Sequence, residues 1–363
     1  MKKALLLLLC LALLPALAGC GALRAGSVEV ERLQLMQTMG LDPEGEALRL
    51  SLAGQGSILS GDGANITAAS RALRAQASEK LLFTGHLRHI LLGAETDAAL
   101  LETALDYAAR SPDLRLDLPV FLLREGRAEE LLRELAAGGE DVSSLLDSLE
   151  RQLETCWRGP LPDAGEILAG LLTRGCALVT ALTPCPAAED ASRRSVAPAG
   201  YALISGDGVS WLDEGEALGV GLLDGRHGVC ELTLSLAPYR PATLELEAGH
   251  SRVSPLWAED GSLRALQIEV ELEAVIREAD ERTPLPRLSA ALEGAVSEGI
   301  RRVFAREQAL GCDFLALGER AERAAPLRFR RMGRSFDDCL DALTLELRVH
   351  SLLRHANDLE AAP

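Results

Sequence analysis

Few residues in this chain are spaced for chemistry, and the clearest is a thiol. Leu17-Ala18-Gly19-Cys20 closes an apolar, leucine-rich run from Ala4 to Ala18 that follows Lys2 and Lys3. A positive start, an apolar stretch and small residues before a cysteine read as a secretory leader ending in a lipobox. The small side chains admit the peptidase, and the Cys20 thiol takes the lipid. As a spanning helix the run is short, since a bilayer core needs about 20 residues. Two acyl chains, at about 0.8 kcal/mol per buried CH₂, anchor stably where one is marginal. Cys20 is therefore expected to become the first residue of a lipid-anchored protein outside a bacterial cytoplasmic membrane.

The other candidates are weaker. His86 and His89 could share a metal on a helix, but their surroundings read as a strand, where residues three apart face opposite sides. Both are expected to be packing residues. Gly61-Asp62-Gly63 and Gly206-Asp207-Gly208 lack the alternating ligands of a calcium loop and read as turns. Glu129-Glu130 and Glu269/Glu271 fall on patterns that place them in solvent. No G-x-S-x-G elbow, H-E-x-x-H pair or P-loop occurs. The reading is a non-enzyme with no catalytic residue, no metal and no cofactor. Arg320, Arg323, Arg328, Arg330, Arg331 and Arg334 crowd together in an acidic chain. A solvated helix face balancing that charge is the plainer account; contact with lipid headgroups or an acidic partner is the sharper one.

Bulk properties narrow the classes further. A chain of 363 residues can hold two or three domains, and 48% hydrophobic with 25% charged residues is an ordinary globular mix. The net charge of −17 becomes −19 once Lys2 and Lys3 leave with the leader. That field repels phosphates, which argues against nucleic acid as a partner and leaves anchoring to the lipid. Cys156, Cys176, Cys185, Cys230, Cys312 and Cys339 are widely spaced and form no CxxC. They are expected to be mostly buried thiols, with Cys312 and Cys339 a candidate pair.

The elements that position these residues follow from periodicity. Glu31 to Asp42 and Ala47 to Ala53 read as a hairpin turning at Asp42-Pro43-Glu44-Gly45. Asn65 caps a helix to about Glu79, Leu81 to Gly93 reads as one strand, and a helix runs from Thr96 to Arg110. Leu118 to Leu123 is a strand, helices fill much of Arg127 to Leu172, and Pro184 to Gly200 has the composition of a linker. Tyr201 to Trp211 reads as a hairpin, followed by a helix capped by Asp213. Beyond Val229, period-two patterning predicts an antiparallel sheet with one wet face. Its cover is a long helix with the stripe Leu288, Leu292, Val296, Ile300, Val303, and Ala342 to Leu353 closes the fold as a strand.

These segments together resemble the C-subunit lipoproteins of nutrient germinant receptors, the Ger(x)C spore germination family. Gly40-Leu41-Asp42 is similar to the family's Gly-x-Asp, and Gly85-His86-Leu87-Arg88 with Ile90-Leu91-Leu92-Gly93 to its "GHLK…viviG" segment. Arg110 to Asp117 resembles "rdpeiRld", Gly200 to Ile204 with Trp211-Leu212 its second block, Leu222 to Arg226 "lkGk", and Cys312 to Glu319 "sDifGfGe". The resemblance implies an α+β, multi-domain fold, with mixed and antiparallel sheets each packed with helices and the C-terminal antiparallel sheet under the long helix. The expected division is a leader over 1–19, an N-terminal α/β domain over 20–190, a middle segment over 198–228 and a C-terminal sheet-plus-helix domain over 229–363. It further implies a lipid-anchored, non-enzymatic subunit on the outer face of the cytoplasmic membrane (the spore inner membrane). Its partners would be integral-membrane A-type and B-type receptor subunits. The alternative class is a lipid-anchored solute-binding protein of a transporter, which requires a deep cleft between two lobes.

Overall fold

The computed structural model describes residues 29–54, 56–77, 80–139, 141–156, 159–225 and 229–355. The chain opens with β1 (Leu33–Leu35), β2 (Thr38–Glu44), β3 (Ala47–Gly54) and β4 (Ser57–Gly63). The first hairpin forms, but Asp42 and Pro43 lie inside β2 and the turn falls at Gly45, whose φ is +60°. Gly61-Asp62-Gly63, expected as a turn, ends β4 instead. A Cβ on Gly63 would lie 2.3 Å from the Ala69 nitrogen, so glycine there lets α1 (Ile66–Gln76) settle on the strand. Asn65 caps α1 by accepting from the Ala68 N–H at 2.9 Å.

The run from Leu81 to Gly93 divides rather than forming one strand. β5 (Leu81–Phe83) pairs in parallel with β1 in a separate two-stranded ribbon. Leu87 donates back to the Thr84 carbonyl, turning the chain so that β6 (His89–Leu92) enters the main sheet beside β2. Then come α2 (Ala98–Arg110), β7 (Val120–Leu123), α3 (Ala128–Ala137), α4 (Val142–Cys156), α5 (Ala164–Arg174) and β8 (Cys176–Pro186). β9 (Arg194–Ser205) and β10 (Gly208–Leu212) complete an eight-stranded sheet ordered β10-β9-β8-β7-β6-β2-β3-β4. The proline-rich stretch expected as a linker is thus a hairpin, paired as far as Pro186 opposite Arg194. Beyond Leu182, β8 has no strand partner on its β7 side among the described residues, and a proline's missing N–H is tolerated at such an edge.

One face of this sheet packs on α1, α2 and α5 through Leu73, Leu105 and Ile167. The other packs on α3 and α4 through Leu132, Leu135 and Leu146. The result is a three-layer unit. The second unit begins with α6 (Glu214–Asp224), whose N-terminus carries a capping box between Asp213 and Glu216. β11 (Cys230–Leu234), β12 (Ala242–Trp257) and β13 (Leu263–Glu278) pair antiparallel. α7 (Leu285–Leu310) then crosses the sheet, and its predicted stripe is fully buried. Three short helices follow, α8 (Leu317–Ala324), α9 (Pro326–Met332) and α10 (Asp337–Leu340), before the last strand, β14 (Thr344–His355). β14 runs parallel to β13, because the α7 crossover returns the chain to the same end of the sheet.

The two units share a core. Cys176, Leu178, Tyr201 and Leu203 of the first sheet belong to the same buried cluster as Leu244, Ile268, Val296 and Ile300. α6 and α7 approach at backbone distance: a Cβ on Gly219 would meet the Gly299 carbonyl oxygen at 2.6 Å. Gly219→Val is expected to lower stability by about 2–3 kcal/mol through overpacking. Gly294→Ala, on the same long helix with nothing within 4 Å, is expected to raise it by about 0.4–1 kcal/mol. Denaturant unfolding of the two variants measures the contrast.

Candidate functional site

Two buried aspartates of the resemblance blocks are helix caps, Asp42 from far along the chain and Asp313 from just before its helix. Asp42, at the end of β2, is almost wholly buried under the N-terminus of α3. Its Oδ1 accepts from the Ala128 N–H at 2.7 Å and its Oδ2 from the Glu129 N–H at 2.9 Å. The local cap position, Arg127, makes no side-chain cap bond, so Asp42 satisfies donors that would otherwise be orphaned. Burial pushes the Asp42 carboxyl up, and the two N–H bonds and Arg127 only partly offset this. Gly93 completes the arrangement, since a Cβ there would fall 2.1 Å from Asp42 Oδ1.

Asp313 does the same for α8. It accepts from the Leu317 N–H at 2.6 Å and the Gly318 N–H at 2.8 Å. Behind it, Glu307 of α7 has no solvent exposure and accepts from the Leu315 N–H at 2.7 Å. Burial, and then the Asp313 charge, raises its pKa well above the ordinary glutamate range. A proton on Glu307 Oε2, donated to Asp313, satisfies a buried oxygen that has no other partner. The neighbouring Cys312 thiol hydrogen-bonds Cys176 across the boundary between the units. Cys312 and Cys339 are both free thiols, not a disulfide.

The two histidines separate. His86 packs edge-on against Phe83, with ring centroids 5.5 Å apart. His89, at the start of β6, is fully buried beside Phe121 and faces α4, where it meets Asp147 and Glu150. Glu129, expected in solvent, is buried as well. Burial alone would raise its pKa, but hydrogen bonds from Arg49, Ser60 and Arg133 outweigh it and leave the carboxyl below its ordinary value. Periodicity missed this because the three partners come from β3, β4 and α3 together.

The arginine cluster also divides. Arg320 is half-buried and donates to the Leu223 and Ser251 carbonyls and to Ser251 Oγ, fastening α6 to β12. Burial lowers its pKa. Arg323 pairs with Glu319, which Arg174 of α5 also reaches. Arg328 lies over the Trp257 ring at 5.9 Å, while Arg330, Arg331 and Arg334 are exposed, as is Leu327 at 69%. Cys20 and the tether at Arg24 to Val28 lie outside the described residues. A cavity of about 640 Å³ lies between α1 and α2 in the first unit, and one of about 290 Å³ where the units meet. No helix among the described residues is long and apolar enough to cross a membrane.

Fold and site together define a two-unit α+β protein whose signature residues serve architecture, with no convergent catalytic set among the described residues. The profile of the spore germination protein N-terminal domain matches residues 26–184. That of the spore germination B3/GerAC-like C-terminal domain matches residues 199–356. Among solved structures, the crystal structure of the GerBC protein aligns with a TM-score of 0.56 at 13% identity, covering 87% of this chain and 96% of that one. No curated protein sequence matches. The chain belongs to the GerAC-like family of spore germination proteins.

Glu307 makes stability depend on pH. Its folded pKa is raised above the unfolded value of 4.5, so above that pH the folded chain binds more protons than the unfolded chain. Stability therefore falls as pH rises, until Glu307 ionises in the fold. Glu307→Gln keeps the acceptor for Leu315 and a donor toward Asp313. Denaturant unfolding between about pH 5 and about pH 8 is expected to show a shallower decline in the variant than in the natural chain.

Proposed function

We propose that this chain is a lipid-anchored, non-enzymatic subunit of a spore nutrient germinant receptor. Cys20 holds it on the outer face of the cytoplasmic membrane, the spore inner membrane, where it assembles with integral-membrane A-type and B-type subunits. The observation that carries this reading is the pair of germination-family domains, in order over residues 26–184 and 199–356, directly behind a lipobox. The acidic surface makes lipid the natural means of attachment. Buried aspartates engaged as helix caps are unavailable for proton transfer, which supports a structural role over an enzymatic one. The larger cavity lies within one unit rather than between two lobes, which disfavours the transporter-type solute-binding alternative.

The exposed part of the arginine cluster is the contact with anionic headgroups. Arg323, Arg328, Arg330, Arg331 and Arg334 are exposed, as is Leu327, which shares its short helix with Arg328, Arg330 and Arg331. Each arginine near an anionic surface contributes about 1 kcal/mol. Arg320 is committed internally and takes no part.

Two outcomes test the proposal. Cys20→Ser is expected to reduce membrane-associated protein by roughly tenfold or more and to impair nutrient germination. Mass spectrometry of the natural chain should find diacylglycerol on Cys20; an intact leader, or normal germination of the variant, would overturn the anchoring. For the patch, hydrogen exchange of the anchored chain should slow by several-fold over residues 323–334 on phosphatidylglycerol vesicles relative to phosphatidylcholine. High salt and the combined Arg330→Gln, Arg331→Gln, Arg334→Gln variant should abolish the difference.

A further inference from the structure

We infer that His89, Asp147 and Glu150 form a binding site for a divalent transition-metal ion of zinc's class. His89 opens β6 at the centre of the first sheet, and Asp147 and Glu150 stand one turn apart on α4, which covers it. The His89 Nε2 atom lies 3.2 Å from Asp147 Oδ1 and 3.4 Å from Glu150 Oε2. One ligand atom from each of the three residues falls within 4.8 Å of the others. The imidazole is completely buried, and neither of its nitrogens forms a hydrogen bond; Asp147 Oδ1 is unpartnered as well. Nε2 is thus close to two carboxylate oxygens yet bonded to neither.

That combination suits a metal better than a proton. Ligand atoms about 2.1 Å from a tetrahedral ion sit about 3.4 Å from one another, and each lies well off its neighbours' lone-pair axes. A hydrogen bond requires the opposite, an acceptor close to the N–H axis. One imidazole nitrogen with two carboxylate oxygens is a set for Zn²⁺ or Mn²⁺, whereas Ca²⁺ takes six to eight oxygens. Arg88 holds the second Asp147 oxygen at 2.5 Å, which turns Oδ1 toward the ring. Glu150 is 30% exposed, giving the ion a path in and a side from which water can complete its shell. Bound there, the ion would tie the outer helix to the central strand.

The test uses the full-length chain in detergent, stripped with a chelator and dialysed against Zn²⁺ or Mn²⁺. One ion per chain is expected by elemental analysis, with a metal-dependent rise in thermal midpoint. Glu150→Gln, at a partly exposed position where folding is safe, should weaken binding roughly 100-fold in competition with a chromophoric chelator and remove that rise. His89→Gln should abolish both. Failure of both ions to bind at one per chain, or undiminished binding by Glu150→Gln, would overturn the site.

Discussion

A buried carboxylate beneath a helix N-terminus sets the register of the first unit, and a second one starts a short helix in the other. Four N–H groups at the start of any helix lack internal partners, and in a dry interior each costs about as much as a lost hydrogen bond. Asp42 meets two of them on α3, and Asp313 meets two on α8. The Asp42 contact joins residues that are far apart in sequence, so it fixes where α3 lands on the sheet rather than merely starting it. Gly93, and with it the end of β6, follows from the same contact, since no side chain fits beside the carboxylate. Two of the resemblance blocks are therefore two sides of one packing constraint.

The second constraint is the common core. Strands β8, β9 and β10, at one end of the eight-stranded sheet, have one face covered by α5 and its neighbours and the other by the sheet-and-long-helix unit. Cys176 and Leu178 point to one side, Ala177 and Val179 to the other. Both sides are apolar, so neither unit closes its core alone. The Arg174–Glu319 ion pair at 2.8 Å and the Cys176–Cys312 thiol contact lie along the same seam. Surface ion pairs contribute little, so the apolar seam, not the salt bridge, holds the units together.

What could be read beforehand was what periodicity encodes. The α7 stripe, the β12–β13 alternation and the Asn65 and Asp213 caps were all legible, because each depends on residues within a few positions of one another. The hairpin over Pro184 to Gly200 was not, because proline counts against a strand unless the edge it faces is known to be open. Nor were the buried positions of Glu129 and Arg320, whose partners come from several elements. His89 could be recognised as a packing residue, but the carboxylates of α4 that face it are invisible without the fold. Local chemistry survives in the string of letters; convergence of distant segments does not.

The parallel pairing of β14 has a consequence for how the polypeptide matures. Thr344 lies opposite Ala265, and every later pair spans the same long excursion through α7 and three short helices. Until the last strand docks, β13 presents an unzipped hydrogen-bonding edge to any passing strand. Contacts this remote in sequence also close slowly. That edge is the one left open longest during folding, which marks the docking of β14 as the step where pairing with a foreign strand would do most harm.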